Sequence, residues 1–98
     1  MTLIIKKKAD LEQEALENWR ASCKVTANQA KLALLDAGLL DDVEAIMEDP
    51  ETDRRVKIAW ANASFERDSN FIAQMAQTLG LTDEQVDDLF KAAQNITI

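Results

Sequence analysis

The sequence describes a small acidic chain suited to a single domain. It has 98 residues, 47% of them hydrophobic, with a formal net charge of −7 at pH 7. Two glycines and one proline argue against a disordered or loop-rich protein. The excess of carboxylates repels phosphate backbones, so we expect no general binding to nucleic acid, which depends on Lys and Arg.

Several kinds of chemistry are excluded by composition. Cys23 is the one cysteine and there is no histidine, so neither an internal disulfide nor a histidine-based metal site or general base is available. No window of about 20 apolar residues exists, so we expect no membrane span. The start of the chain lacks the pattern of a signal peptide. Synthesis in a reducing cytoplasm fits these features.

The two ends of the chain are rich in strand-forming residues. Leu3, Ile4 and Ile5 precede three lysines without helical spacing, and Ile96, Thr97 and Ile98 are β-branched. Residues 1–9 are therefore predicted to form an extended or strand-like tail. The ends either pair with each other or with the sheet edge of a partner, or they fray. The sequence leaves pairing and fraying equally open.

An amphipathic helix is predicted over residues 10–24. Asp10 can cap it, with Gln13 three residues later. Its apolar residues recur at spacings of three and four on one stripe: Leu11, Ala15, Leu16, Trp19 and Cys23. Its glutamates and Arg20 are predicted to face away. This helix either packs on the body of the protein or projects as a docking arm, and Cys23 is expected to be a buried, unreactive thiol.

Capping signals mark the helices that follow. Thr26 with Gln29 has the spacing of a capping box, and Gly38 can end that helix in the left-handed conformation. A short helix then runs up to Pro50, and Thr52 or Asp53 can cap the next one. The inner face of that next helix is predicted to contain Val56, Ala59, Trp60 and Ala63.

The helical pattern loses phase near "FERDSN", where we expect a break or kink. Asp68 or Ser69 can cap a further helix that ends at Gly80, and Thr82 with Gln85 repeats the capping box. The last inner face contains Val86, Leu89, Phe90 and Ala93. Residues 10–98 are therefore predicted to form a single all-α domain, a compact bundle of five or six short helices.

The stretch "LGLTDEQVDDLF" resembles a DNA-reading helix-turn-helix in outline. A recognition helix presents Arg, Lys, Asn or Gln to the DNA in its first turns. Here the second helix presents four carboxylates instead: Asp83, Glu84, Asp87 and Asp88. Asp83 and Glu84 are explained by the positive electrostatic end of a helix. The corner is therefore predicted to serve packing or a protein partner.

Eight acidic residues lie between Asp36 and Asp53, but they do not form a recognisable site. A calcium loop needs alternating oxygen ligands and a glycine at mid-loop, and "DDVEAIMEDPET" has neither. A solvated acidic face explains these residues. No nucleophile, oxyanion hole or glycine-rich phosphate loop is recognisable. We therefore expect no enzymatic activity, no cofactor and no metal site.

The two tryptophans are the most informative side chains. The spacing around Trp60 favours a place in the core. For Trp19, on the less firmly placed first helix, core packing and a role as an interface anchor are equally supported.

Residues from about Val25 to Ala93 resemble small proteins encoded in the tail-fibre region of phages and prophages. The resemblance rests on "TANQAKLALLDAGLLDDVEAIM" and on "IAWANASFERDSNFIAQMAQTLGLTDEQVDDLF". It covers about two-thirds of the chain and supplies no active-site residues. It implies a tail accessory role by protein contact, as a fibre-assembly chaperone or a minor tail component, in the cytoplasm of a bacterial host or in the virion tail.

The expected partner is therefore a phage tail fibre or another tail protein, with homo-oligomerisation also open. No nucleic acid and no membrane is expected as a partner. The candidate partner-binding residues are Ile4, Ile5, Leu11, Leu16 and Trp19. Two other functions stay open: a small acidic phage inhibitor of host nucleic-acid or defence machinery, and a generic helical protein-binding module.

Overall fold

The computed structural model describes residues 8–97, with side chains from residue 11 onward. Over this range the chain forms six α-helices and one two-stranded sheet. The elements in chain order are α1 (Lys8–Ser22), β1 (Lys24–Thr26), α2 (Ala27–Asp36), α3 (Leu40–Glu48), α4 (Arg54–Trp60), β2 (Ser64–Glu66), α5 (Asn70–Leu79) and α6 (Asp83–Gln94). The predicted helical bundle is confirmed.

Four helices begin at capping residues that the sequence predicted: α2, α4, α5 and α6. The predicted cap of the first helix is wrong, because α1 runs from Lys8 to Ser22 and Asp10 lies inside it. Thr26 and Thr82 each accept the backbone N–H of the glutamine three residues later, and that glutamine accepts the N–H of the cap. Asp53 caps α4 and Ser69 caps α5. Gly80, with φ of 70°, ends α5 in the left-handed conformation that glycine adopts at little cost.

The two-stranded sheet was not predicted. β1 and β2 pair antiparallel with Val25 opposite Phe65, and the loss of helical phase near "FERDSN" is the strand β2 followed by a turn. Each strand has only three residues, too few to show a period of two in the sequence. Ala63, predicted on the inner face of a helix, lies beyond the end of α4 and is exposed.

The core lies between the sheet, α2 and α6. Its buried residues are Cys23, Val25, Ala33, Phe65, Val86, Phe90 and Ala93. Phe65 stacks between Trp60 and Phe71, with ring centroids 5.6 Å apart in both pairs. Trp60 therefore packs against the core, as predicted.

The two ends of the described chain differ from the strand-like prediction. Residues 95–97 belong to no strand; Ile96 packs against the core, and its carbonyl accepts a 2.9 Å hydrogen bond from the Gln29 side chain. The chain is helical from Lys8, so the predicted tail of residues 1–9 is wrong for its last two residues. Residues 1–7, with Ile4 and Ile5, lie outside the described residues.

Candidate protein-binding site

The helix α1 carries the predicted docking stripe, and its first half is open to solvent. Leu11 is 53% exposed, and Ala15 is also exposed. Leu16, five residues after Leu11, is half-buried. The protein measures 60 × 30 × 21 Å, so one axis is twice the next. The first part of the stripe is therefore an apolar surface that the rest of the described chain does not cover.

The second half of α1 packs on the body. Trp19 is half-buried and lies against the core residues. The Lys91 ammonium lies 5.4 Å from the centroid of the Trp19 ring, within the range of a cation–π contact. Of the two roles left open for Trp19, core packing is the one that its contacts show.

Arg20 was predicted to face away from the body, and that prediction is wrong. Its Nη2 lies 2.6 Å from Oδ2 of Asp87, and its Nε lies 3.0 Å from Oδ1 of the same carboxylate. The two contacts form the fork geometry in which Arg binds a carboxylate most strongly. The last turn of α1 is thereby tied to α6.

A second arginine completes this cluster from the turn after β2. The Nε of Arg67 donates a 2.8 Å hydrogen bond to Oδ1 of Asp87, and its Nη2 lies 3.5 Å from Oδ1 of Asp83. Asp87 is 4% exposed and Arg67 8% exposed. We call Arg20, Arg67 and Asp87 the anchor cluster, because it joins α1, the sheet and α6.

Electrostatics keep the anchor cluster charged. Burial alone raises the pKa of Asp87, but the hydrogen bonds and charges of Arg20 and Arg67 outweigh it, so that this pKa lies below its ordinary value. The hydrogen bond to Asp87 raises the pKa of Arg20. No buried side-chain nitrogen or oxygen of the described residues lacks a hydrogen-bond partner. The carboxylate therefore holds two arginines in fixed positions.

The sequence analysis missed the anchor cluster, although one signal was present. Asp87 was grouped with three acids on an exposed helix start, and the structure buries it instead. It lies next to Val86 and three residues before Phe90, both on the buried face of α6. A carboxylate within such a face needs a positive partner. Sequence alone does not show which of the 11 Lys and Arg residues provides it.

Cys23 is buried as predicted. It is 3% exposed, and burial raises the pKa of its thiol above the ordinary value, which lowers the thiolate fraction at neutral pH. Its carbonyl accepts the backbone N–H of Arg67 at 3.0 Å. The backbone of Cys23 therefore helps to hold the segment that carries Arg67.

The described part of the chain shows few features of other kinds of site. An apolar crevice of about 80 Å³ lies between α2, α5 and α6, and its wall is made of aliphatic and aromatic side chains. Among the described residues, no group of three or more acids or cysteines is arranged to hold a metal ion. Within that same range, no helix combines the length and the apolar character needed to cross a membrane.

Comparisons with known proteins add no relative. The chain matches no protein-family model, no curated protein and no solved structure.

Proposed function

We propose that the protein is a non-enzymatic tail accessory protein of a phage or prophage. It acts as a fibre-assembly chaperone or a minor tail component, and α1 is its contact with a tail-fibre or other tail protein. The phage context comes from the sequence resemblance alone. The observation that supports a docking role is the state of α1, exposed and apolar in its first half and fixed to the body in its second.

Rigid attachment is what makes the exposed half of α1 useful for binding. The anchor cluster and Trp19 set the direction of the helix before a partner arrives. Less conformational entropy is then lost on binding than with a freely hinged helix. An amphipathic helix presented in this way fits an apolar groove, with anchors one and two turns apart. Leu11 and Ala15 have the one-turn spacing on the exposed half, and Trp19 follows one turn after Ala15.

The decisive variant is Leu11→Glu. The matched control is Leu35→Glu, because Leu35 is 56% exposed, close to the 53% of Leu11, and lies on α2. Both changes leave a solvated side chain, so we expect little effect on folding. Trp19→Ala is less suitable, because Trp19 also packs against the core.

The test is co-expression with the tail-fibre and neighbouring tail proteins of the encoding phage, followed by affinity capture and light scattering. We expect a stable complex that Leu11→Glu weakens and Leu35→Glu leaves intact. No complex, and no effect on fibre folding or solubility, contradicts the proposal. Host nucleases and polymerases are then the next baits, as the acidic inhibitor hypothesis requires. If Leu11→Glu leaves the complex as stable as before, the contact lies on another part of the protein.

A further inference from the structure

Within residues 8–97, no strand pairs with the outer edge of β2. The N–H of Arg67 donates to the carbonyl of Cys23, and the N–H of Ala27 donates to the carbonyl of Ala63. In an antiparallel pair every second residue bonds to the partner strand, so on this side the bonded residues are 63, 65 and 67. Phe65 therefore points its backbone groups at β1. Ser64 and Glu66 point theirs away from it.

The outward backbone groups of β2 are mostly unoccupied. The Glu66 carbonyl accepts a hydrogen bond from the Ser69 hydroxyl at 2.9 Å. The N–H and C=O of Ser64 and the N–H of Glu66 have no partner among the described residues. On the other strand, the Gln29 side chain already occupies the outward N–H of Thr26. β2 is thus the edge at which a further strand can pair.

A groove runs along this edge and has space for an extended segment. It encloses about 360 Å³, and its walls include apolar Ala59, Ala63 and Phe71 beside polar Asn62 and Ser64. Glu66, exposed on the same groove, places a carboxylate at this edge, with Lys24 opposite it on β1. A strand that added here would place apolar side chains on the alanines and phenylalanine and positive ones near Glu66.

We infer that the occupant is the N-terminal segment of a second copy of this chain. Residues Leu3–Ile5 are strong strand formers, and Lys6, Lys7 and Lys8 follow them directly. This segment therefore has the strand propensity and the positive charge that suit a carboxylate-bearing sheet edge. Main-chain hydrogen bonds supply the affinity of such added strands, and side chains supply the specificity. Two copies that exchange segments form a closed, two-fold symmetric dimer.

The length of α1 favours exchange over pairing within one chain. Lys8 lies about 21 Å from Ser22, since a helix rises about 1.5 Å per residue, and Ser22 lies beside the sheet. Leu3–Ile5 lie three to five residues before Lys8, so they reach at most about 18 Å from it when fully extended. Folding back along α1 therefore leaves them short of the chain's own β2. A second copy has no such constraint.

Ser64→Pro is the sharpest test at the edge. Proline removes the outward N–H of Ser64 and leaves the bonds to β1 in place, which is where a strand tolerates it. Ser64→Ala, which keeps the N–H, is the matched control. Sedimentation velocity on the full chain over a range of concentrations should show a dimer for the native and Ser64→Ala proteins. Ser64→Pro should raise the dimer dissociation constant at least about tenfold.

If Ser64→Pro unfolds the protein, variants in the N-terminal segment provide an independent test. Ile4→Pro should weaken the dimer as strongly, and Ile4→Val should not. Glu66→Lys should also weaken it, and combining it with Lys6→Glu and Lys7→Glu should restore it, because the attraction is rebuilt with the charges exchanged. A chain that is monomeric at every concentration overturns the inference. So does a dimer that neither proline weakens.

Discussion

The two halves of α1 have similar sequence patterns but opposite environments. Leu11 and Ala15 continue the same apolar stripe as Trp19, yet the first pair is exposed and Trp19 lies against the core. The difference comes from the second half of the helix, where Arg20 reaches the carboxylate of Asp87. An amphipathic stripe therefore identifies an apolar face of a helix without saying whether the protein itself or a partner covers it.

The largest effect is expected from removing the carboxylate of Asp87, which holds the second half of α1 on the body. Asp87→Ala leaves the buried Arg67 and the half-buried Arg20 without their shared partner, and losing one member of a buried ion pair costs about 3–5 kcal/mol. Urea denaturation followed by circular dichroism measures this loss. Asp88→Ala, on the exposed side of the same helix, should change stability by less than about 0.5 kcal/mol. Equal effects of the two changes contradict the role of the anchor cluster.

Trp19→Ala should cost about 2 kcal/mol. Truncating a fully buried tryptophan costs about 3–5 kcal/mol, and Trp19 is only half-buried. The loss should appear in the same urea measurement. Lys91→Ala removes only the cation–π contact and should cost about 0.5 kcal/mol. If Trp19→Ala were neutral, the second half of α1 would be held by the arginine alone.

The ion pairs of the anchor cluster also predict a pH dependence. The pKa of Asp87 is lower in the folded state than in the unfolded chain, so its contribution to stability is complete above the unfolded pKa of about 4. It is lost as the pH falls through the folded pKa. The stability difference between the native protein and Asp87→Asn should therefore shrink as the pH drops from about 5 to 2. A difference that stays constant over this range contradicts the assignment, because it would mean that Asp87 does not titrate differently on folding.

The smallest effect is expected at the exposed end of the stripe. Leu11→Ala should change the free energy of unfolding by less than about 0.5 kcal/mol, because the side chain is already 53% exposed. Thermal denaturation compared with the native protein checks this. A loss above about 1 kcal/mol would show that Leu11 is covered in solution, for example by a second copy. The two halves of α1 would then differ less than their exposure in one chain indicates.

The sequence predicted the parts of this fold that depend on local chemistry. Capping boxes at Thr26 and Thr82 and the left-handed Gly80 are readable because their partners lie within four residues. The sheet and the anchor cluster depend on partners much further away: Arg20 and Asp87 are 67 positions apart. Nothing local to Arg20 distinguishes it from a solvated arginine. The features that the sequence analysis missed therefore depend on contacts between residues that are far apart in the sequence.

The same limit applied to the candidate site. The stripe of Leu11, Leu16 and Trp19 was identified from its spacing, but the spacing could not separate the covered residue from the uncovered one. That separation required the position of α1 on the body.

The reactivity of the buried Cys23 thiol can be used to measure local opening of the protein. An alkylating reagent reaches this thiol only when the junction of α1 and β1 opens, because the side chain is 3% exposed and the chain has no other cysteine. When the junction recloses faster than the reagent reacts, the labelling rate gives the equilibrium fraction of open molecules. Comparing this rate with global unfolding measures how far the first helix detaches while the rest of the bundle stays folded.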